Sequence, residues 1–365
     1  MKTLSFLIKP ASSACDLRCS YCFYLDEASH RGKACHPLMK EDVVDAMLQN
    51  IFATGDDVIL AFQGGEPSLV GLAWYRSFVA KVNKMNTKNV HVSYAFQTNA
   101  TLIDDDWAAF FHDNHFLVGV SLDGFSRIHN LHRKKGDGSP SFRETMRGIE
   151  CLKKADAEFN ILTVVTNDTV DNLDRIWDFF LEQGFTYQQY IPAIDPMGGD
   201  DDTYLSSEAY GKFLISLSEK WMEANQQGYP VSIRLFDNFI AMLSGYPVEA
   251  CDMVGHCSVQ YVVEANGDIY PCDFYCTDTF RLGNIMTDSI LQMDRKREEL
   301  SFISGSFPTA KECGTCQLFP LCRGGCKRYR DKEGLFRFCG SYQEFFSRTL
   351  PSFQKIAKNY RRENG

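Results

Sequence analysis

The sequence predicts an α/β protein: an open or partial (β/α)6 barrel followed by a smaller, cysteine-rich domain. Three observations lead there. Strand-like and helix-like runs alternate through the first half of the chain, which signals βαβ units and a parallel sheet. Several strand-like runs end in polar or glycine-bearing segments, the side of a parallel sheet where ligand chemistry gathers. Nine of the 14 cysteines fall between Cys251 and Cys339, where little regular periodicity is legible.

The strand runs are Thr3–Ile8, Val58–Phe62, Val90–Phe96, Leu117–Leu122, Phe159–Thr166 and Tyr187–Ile191. Helix-like runs lie between them near Lys40–Phe52, Leu72–Met85, Asp104–Asn114, Ser141–Lys154 and Val170–Gln183. Six strands with five helices suit a partial barrel better than a closed eightfold one. The opening run Leu4–Ile8 is too short for a secretory signal and is closed by Lys9-Pro10, so it reads as a strand. Pro192–Asp202 reads as a loop, and helices follow near Ser206–Asn225 and Phe236–Leu243. Composition shifts after Gly245-Tyr246-Pro247. Beyond it only a hairpin stands out, Gln260–Ala265 and Asp268–Tyr270 about Asn266-Gly267. The tail Tyr342–Arg362 is helix-like. The expected domains are 1–230 (barrel), 231–246 (helical connector), 247–341 (cysteine-rich domain) and 342–365 (terminal helix).

Composition excludes several classes. The 365 residues are 44% hydrophobic and 23% charged, ordinary for a folded chain. A net charge of −9 argues against nucleic acid as the main partner. No apolar run nears the roughly 18 residues of a membrane span, so no membrane partner is expected. Without export, many cysteines point to metal or redox chemistry.

Cys15-Asp16-Leu17-Arg18-Cys19-Ser20-Tyr21-Cys22 is C-x3-C-x2-C directly after the first strand. Three thiolates on one loop can ligate three irons of a [4Fe–4S] cube and leave the fourth iron open. A zinc site completed by His30, Cys35 or His36, or a set of unligated thiols, would use the same residues. Phe62-Gln63-Gly64-Gly65-Glu66-Pro67 follows the second strand. Its glycines allow close backbone approach, and its carboxylate can receive an ammonium group. Alone that motif is a turn. Placed one βα unit after the cysteine loop, it resembles the Gly-Gly-Glu motif of radical S-adenosylmethionine (SAM) enzymes.

The later cysteines resemble a SPASM domain, which binds two auxiliary [4Fe–4S] clusters. The resemblance implies that Cys251, Cys257, Cys272 and Cys326 hold one cluster and that Cys313, Cys316, Cys322 and Cys339 hold the other. Cys35, Cys151 and Cys276 stay unassigned. A zinc ribbon on Cys313, Cys316, Cys322 and Cys326 is the alternative use of that spacing.

Over nearly the whole chain the sequence resembles anaerobic sulfatase-maturating enzymes. Leu7–Ser13, Tyr21–Tyr24, Ala61–Pro67, Gln97-Thr98-Asn99, Ser121–Gly124, His129-Asn130, Phe159–Leu162, Val231–Arg234 and Tyr270–Tyr275 carry the likeness. Two departures stand out: Ala100 where a glycine is usual, and a short interval from Cys326 to Cys339. That family oxidises a Ser or Cys within a sulfatase to 3-oxoalanine (Cα-formylglycine). The resemblance implies reductive cleavage of SAM at the Cys15/Cys19/Cys22 cluster, hydrogen-atom removal from Cβ of the target, loss of its hydroxyl or thiol proton to a base, and departure of the last electron to an auxiliary cluster. Asp273, beside Cys272, is the expected base; a turn residue is the plainer reading. Tyr24 is expected beside the substrate, or as a core tyrosine. For SAM the resemblance points to Tyr21, Gly65, Glu66, Ser121, Arg133 and the backbone of Ile194, although Arg133-Lys134-Lys135 also reads as a solvated basic run.

His112, His115, His129 and His132 read as background. The expected partners are a sulfatase polypeptide with a Cys/Ser-x-Pro-x-Arg motif and a flavodoxin- or ferredoxin-type donor, in a reducing cytoplasm. Another SPASM peptide maturase, such as a thioether-forming one, is the nearest rival. Such enzymes often carry a leader-recognition domain, and Cys15 comes early for one. A plain electron carrier gains nothing from an open iron.

Overall fold

The computed structural model describes residues 3–197, 202–308 and 310–364. They fall into two compact units, each discontinuous in sequence.

The first unit comprises Met1–Leu122, His129–Asn160 and Val259–Phe302. Its sheet is built on four parallel strands: β1 (Thr3–Lys9), β2 (Asp57–Phe62), β3 (Val92–Thr98) and β4 (Phe116–Ser121). Alternate residues of β1 and β2 are buried: Leu4, Phe6 and Ile8, then Val58, Leu60 and Phe62. Period-2 burial is what a strand with one helix-covered face requires. The cover is helical. Leu72–Met85 presents Tyr75, Phe78 and Val82, and Phe62 meets Tyr75 and Phe78 edge-on at 5.0 and 5.1 Å. Each such ring contributes about 2–3 kcal/mol by burial. Helix Glu41–Thr54 adds Met47, Leu48 and Ile51 and stops where Gly55 turns left-handed (φ 75°).

The linear domain boundaries expected from sequence do not coincide with these units. Part of the expected C-terminal domain, Val259–Phe302, belongs to the first unit. Strand β8 (Tyr261–Glu264) adds to the outer edge of β1 in parallel, with Ile8 opposite Val263. It turns back antiparallel through β9 (Asp268–Tyr270) to β10 (Gly283–Asn284). An open edge of β1 would leave backbone groups unpaired, and the hairpin covers it. The pairing therefore carries Cys272 and Asp273, just past β9, into the unit that holds the first cysteine loop.

The second unit comprises Asp123–Ile128, Ile161–Ser258 and Ile303–Gly365. Strands β5 (Phe159–Val165), β6 (Tyr187–Pro192) and the two-residue β7 (Ser232–Ile233) pair in parallel. Helices Ser207–Gln226, Arg234–Ser244 and Cys339–Asn364 share an aromatic core. Trp221 stacks on Phe353 at 5.6 Å, and Phe239 meets Phe346 edge-on at 4.9 Å.

Two expectations change. The single helix Val170–Gln183 is two, Asn167–Asp171 and Leu173–Glu182, because Thr166 caps the first through a reciprocal bond with Thr169 and the backbone breaks at Asn172. The cysteine-rich segment contains a ten-residue helix, Ile290–Glu299, that was not expected. It is almost wholly polar, burying only Met293 and Arg297, so it carries little apolar period; its Ser289/Gln292 capping box was the available signal.

Candidate active site

The cysteine loop leaves β1 through Ser12, whose φ of 55° turns the chain sharply, and ends where helix Phe23–Ser29 begins. Cys15, Cys19 and Cys22 are all half-buried. The loop is held by a bond of its own and by the segment that follows β3. Leu17 N–H donates to Cys15 Sγ (3.3 Å), Asn99 Nδ2 to Asp16 Oδ1 (2.7 Å), and Thr101 Oγ1 to Asp16 Oδ2 (2.6 Å). Burial, reinforced by the charge of Glu66, pushes the free Cys15 thiol upward.

The Gly-Gly-Glu turn docks on the same loop. Glu66 N–H donates to Ala14 O at 2.8 Å. A Cβ on Gly65 would lie 2.1 Å from that oxygen, and one on Gly64 would lie 2.5 Å from the Lys9 side chain. Both glycines have positive φ, so close approach and backbone shape each demand them. The Glu66 carboxylate is buried and accepts four hydrogen bonds: Ser68 N–H (3.1 Å), Ser68 Oγ (2.6 Å) and Thr98 Oγ1 (2.8 Å) on Oε1, and Asn99 N–H (2.8 Å) on Oε2. Burial raises its pKa and those donors oppose the rise.

Of the other expected SAM contacts in this unit, Tyr21 and Arg133 lie together. Tyr21 is buried beside His132, with ring centres 5.2 Å apart, and the Arg133 guanidinium lies over it at 5.5 Å. Arg133 is 6% exposed, so it is not part of a solvated basic run, whereas Lys134 is exposed. Ser121 ends β4 and accepts from Gln97 Nε2 at 3.0 Å. Ile194 is buried in the second unit, just past β6. His129 is a fully buried structural histidine bonded to Ser141 Oγ (3.0 Å), and His112 and His115 are exposed.

Asp273 opens a short 3-10 turn after Cys272. Its Oδ2 accepts from Tyr24 Oη (2.7 Å) and Gln63 Nε2 (3.3 Å). Its Oδ1 is buried and has no hydrogen-bond partner among the described residues. Burial lifts the carboxyl to about 6, Glu264 adds to the rise, and Lys9 and the Tyr24 hydroxyl oppose it. Tyr24 therefore links the first cysteine loop to the carboxylate; it is not simply core filler.

Behind Asp273 lies a buried ionic network that sequence reasoning missed. Lys9 Nζ pairs with Glu264 at 3.2 Å, Arg31 pairs with the same carboxylate, and Lys9 lies 5.1 Å over the Tyr24 ring. The two cations hold Glu264 near 2 against the cost of burial. Glu27 accepts the Cys276 N–H (3.0 Å) through Oε1, while its buried Oε2 has no partner among the described residues. Burial, with Asp273 adding, lifts Glu27 to about 8. An uninterrupted Lys and Arg at the ends of apolar or turn segments were the only signals available.

In the second unit the later thiols gather in two sets. Cys326 is pushed up to about 12 by burial, with Cys251 and Cys257 within electrostatic reach. Cys322 is pushed up to about 11 by burial, with Cys339, Cys313 and Cys316 within reach. Cys339 in turn has Cys316 and Cys313 within electrostatic reach. Ligation requires thiolates, so binding of an iron–sulfur cluster would release the thiol protons. All-thiol donor sets of this kind fit iron–sulfur ligation. Cys35 is exposed, Cys151 half-buried and Cys276 buried.

Residues 10–180 match the radical SAM superfamily, and residues 251–317 match an iron–sulfur cluster-binding domain, SPASM. The class is therefore a radical SAM enzyme with auxiliary [4Fe–4S] clusters, SAM being its cosubstrate. The chain is 40% identical to the cysteine-type anaerobic sulfatase-maturating enzyme of Clostridium perfringens (strain 13 / Type A), over 98% of this chain and 100% of that one. The Clostridium novyi (strain NT) counterpart is 39% identical over 98% of each, and the serine-type enzyme of Bacteroides thetaiotaomicron is 28% identical over 98% and 92%. A solved structure described as native anSMEcpe with bound AdoMet and Kp18Cys peptide superimposes with a TM-score of 0.93 at 39% identity, covering 98% of this chain and all of that one. The chain belongs to the anaerobic sulfatase-maturating enzymes.

Proposed function

We propose that this chain converts a cysteinyl residue of a sulfatase to 3-oxoalanine, with Asp273 as the base. The observation that carries the reading is the asymmetry of that carboxylate: Tyr24 and Gln63 fix one oxygen, and the other is buried with no partner among the described residues. A general base must be oriented, desolvated and left with a free acceptor. The cysteine preference is supported by the higher identity to cysteine-type relatives, 39–40% against 28% for a serine-type one.

Cys15, Cys19 and Cys22 would hold the SAM-binding cluster. Cys313, Cys316, Cys322 and Cys339 would hold one auxiliary cluster, and the sequence pattern adds Cys272 to Cys251, Cys257 and Cys326 for the other. When bound, cluster and SAM supply the radical that takes a hydrogen atom from Cβ of the target. The chain's residues do the rest. Gly65 and Glu66 shape the turn at the methionine amino group, Tyr21 and Arg133 form one wall, Ser121 meets the ribose, and the Ile194 backbone meets adenine. Glu66 does so through its turn and one spare lone pair on Oε2, because its other acceptor capacity is already used by the chain. Asp273 Oδ1 accepts the thiol proton, the one remaining electron would pass to an auxiliary cluster to leave the thioaldehyde, and water then hydrolyses it with release of hydrogen sulfide. A flavodoxin- or ferredoxin-type donor in a reducing cytoplasm supplies the electron. No described helix is long and apolar enough to cross a membrane.

The test is anaerobic reconstitution with SAM, reductant and two sulfatase peptides that differ only in Cys or Ser at the target, read by peptide mass and 5′-deoxyadenosine. The expected result is 3-oxoalanine from both, faster from Cys. SAM cleavage with neither peptide changed would contradict the function, and faster turnover of Ser would reverse the assigned preference.

A further inference from the structure

The segment Pro192–Asp195 leaves β6 and carries Ile194. Six contacts within the second unit fix its shape. Ala193 N–H donates to Val165 O at 2.9 Å, which continues the pairing of β6 with β5. Tyr329 Oη donates to Pro192 O at 2.6 Å. Arg328 Nη2 donates to Asp195 O at 3.1 Å. The Arg337 guanidinium pairs with the Asp195 carboxylate and donates to Leu205 O at 2.6 Å, and that carboxylate also accepts the Asp202 and Tyr204 N–H groups at 3.0 and 3.3 Å.

Three of these donors flank cysteines of the later clusters. Arg328 and Tyr329 follow Cys326 by two and three residues, and Arg337 precedes Cys339 by two. Tyr329 is 9% exposed and Asp195 is 8% exposed, so the Tyr329 hydroxyl and the Asp195 carboxylate are largely shielded from water, where a lost partner is costly. Arg337 is further confined by Phe338, whose ring centre lies 5.1 Å from the guanidinium carbon. An ordinary strand-end loop is held by its own turn bonds. This one is held by such bonds and, in addition, by side chains reaching from the cysteine-bearing segments.

We propose that Tyr329, Arg328 and Arg337 are positioning residues for SAM: they hold residues 192–195 in the shape that receives adenine, so the segments that carry the auxiliary-cluster cysteines also support the cosubstrate. This rests on the assignment of the Ile194 backbone to adenine under the proposed function. None of the three side chains needs to touch SAM. Their effect passes through the carbonyls of Pro192 and Asp195 and through the Asp195 carboxylate.

The test uses reconstituted holoenzyme with Tyr329→Phe, which deletes a single hydroxyl, and Arg337→Met, with Arg337→Lys as the conservative rescue. SAM and free methionine are the two probes, measured by equilibrium dialysis, with iron per chain as the loading control. Methionine can occupy the open iron without engaging an adenine site. The expected result is about a tenfold weaker SAM affinity in Tyr329→Phe and Arg337→Met, partial recovery in Arg337→Lys, and unchanged methionine affinity and iron content. Unchanged SAM affinity in the two variants would overturn the inference, as would parallel loss of SAM and methionine binding. Wild-type holoenzyme that binds methionine and SAM equally well would remove the adenine assignment itself, and the inference with it.

Discussion

Two buried carboxylates in the first unit make opposite use of burial. Glu66 accepts four hydrogen bonds across both oxygens and ties the Gly-Gly-Glu turn to the end of β3. Asp273 accepts two on one oxygen and leaves the other bare. Desolvation raises both. A carboxylate tied by donors on both oxygens is chiefly an anchor, and its removal is felt first as lost structure. A carboxylate held by one oxygen is oriented but unspent, and its removal is felt as lost chemistry.

That contrast is open to mutation. The largest effect is expected at Asp273: Asp273→Asn should lower 3-oxoalanine formation by about 10²–10⁴-fold while iron content and thermal stability stay near wild type. A stability loss matching the activity loss would make Asp273 an anchor too. At Glu66 the balance reverses. Glu66→Ala leaves four donors without their acceptor and should cost roughly 2–4 kcal/mol of stability, read by denaturant unfolding, together with poorer retention of iron at the first cysteine loop. A variant as stable as wild type would show that solvent replaces those bonds.

A smaller, pH-dependent effect is expected at Glu27. Its folded pKa, about 8, lies above the ordinary value of 4.5. Between those values the unfolded chain has released a proton that the folded chain still holds, so stability falls as pH rises through that window. Glu27→Gln should therefore match wild type near pH 5 and melt higher than wild type at pH 9. Parallel melting curves at both pH values would remove Glu27 from the buried network. The smallest effect concerns Ala100, which sits at φ 60°. Ala100→Gly relieves a left-handed Cβ but adds unfolded-chain freedom, so the net change should be within about 1 kcal/mol.

The barrel strands were legible because their pattern is local. In β1 and β2, apolar residues alternate along a few consecutive positions, and the structure agrees within one or two residues. The cysteine loop and the Gly-Gly-Glu turn were legible for the same reason, since each lies within eight residues. What escaped was non-local. That Ile8 faces Val263 depends on the pairing of two distant edges, and no periodicity in either strand announces it. The network of Lys9, Arg31, Glu27 and Glu264 collects side chains from a strand end, a loop, a helix and the added hairpin. In sequence each looks like an ordinary surface charge. The resemblance to known enzymes nominated Asp273 and Tyr24, but not the hydrogen bond between them, nor the part of Gln63.

The most direct test of the account is a structure of the holoenzyme with SAM and a cysteinyl sulfatase peptide. The account predicts the target sulfur within about 3.5 Å of Asp273 Oδ1, or one water away, with Tyr24 and Gln63 still on Oδ2. A target sulfur directed at a different base, with Oδ1 still bare or paired to the chain, would contradict it.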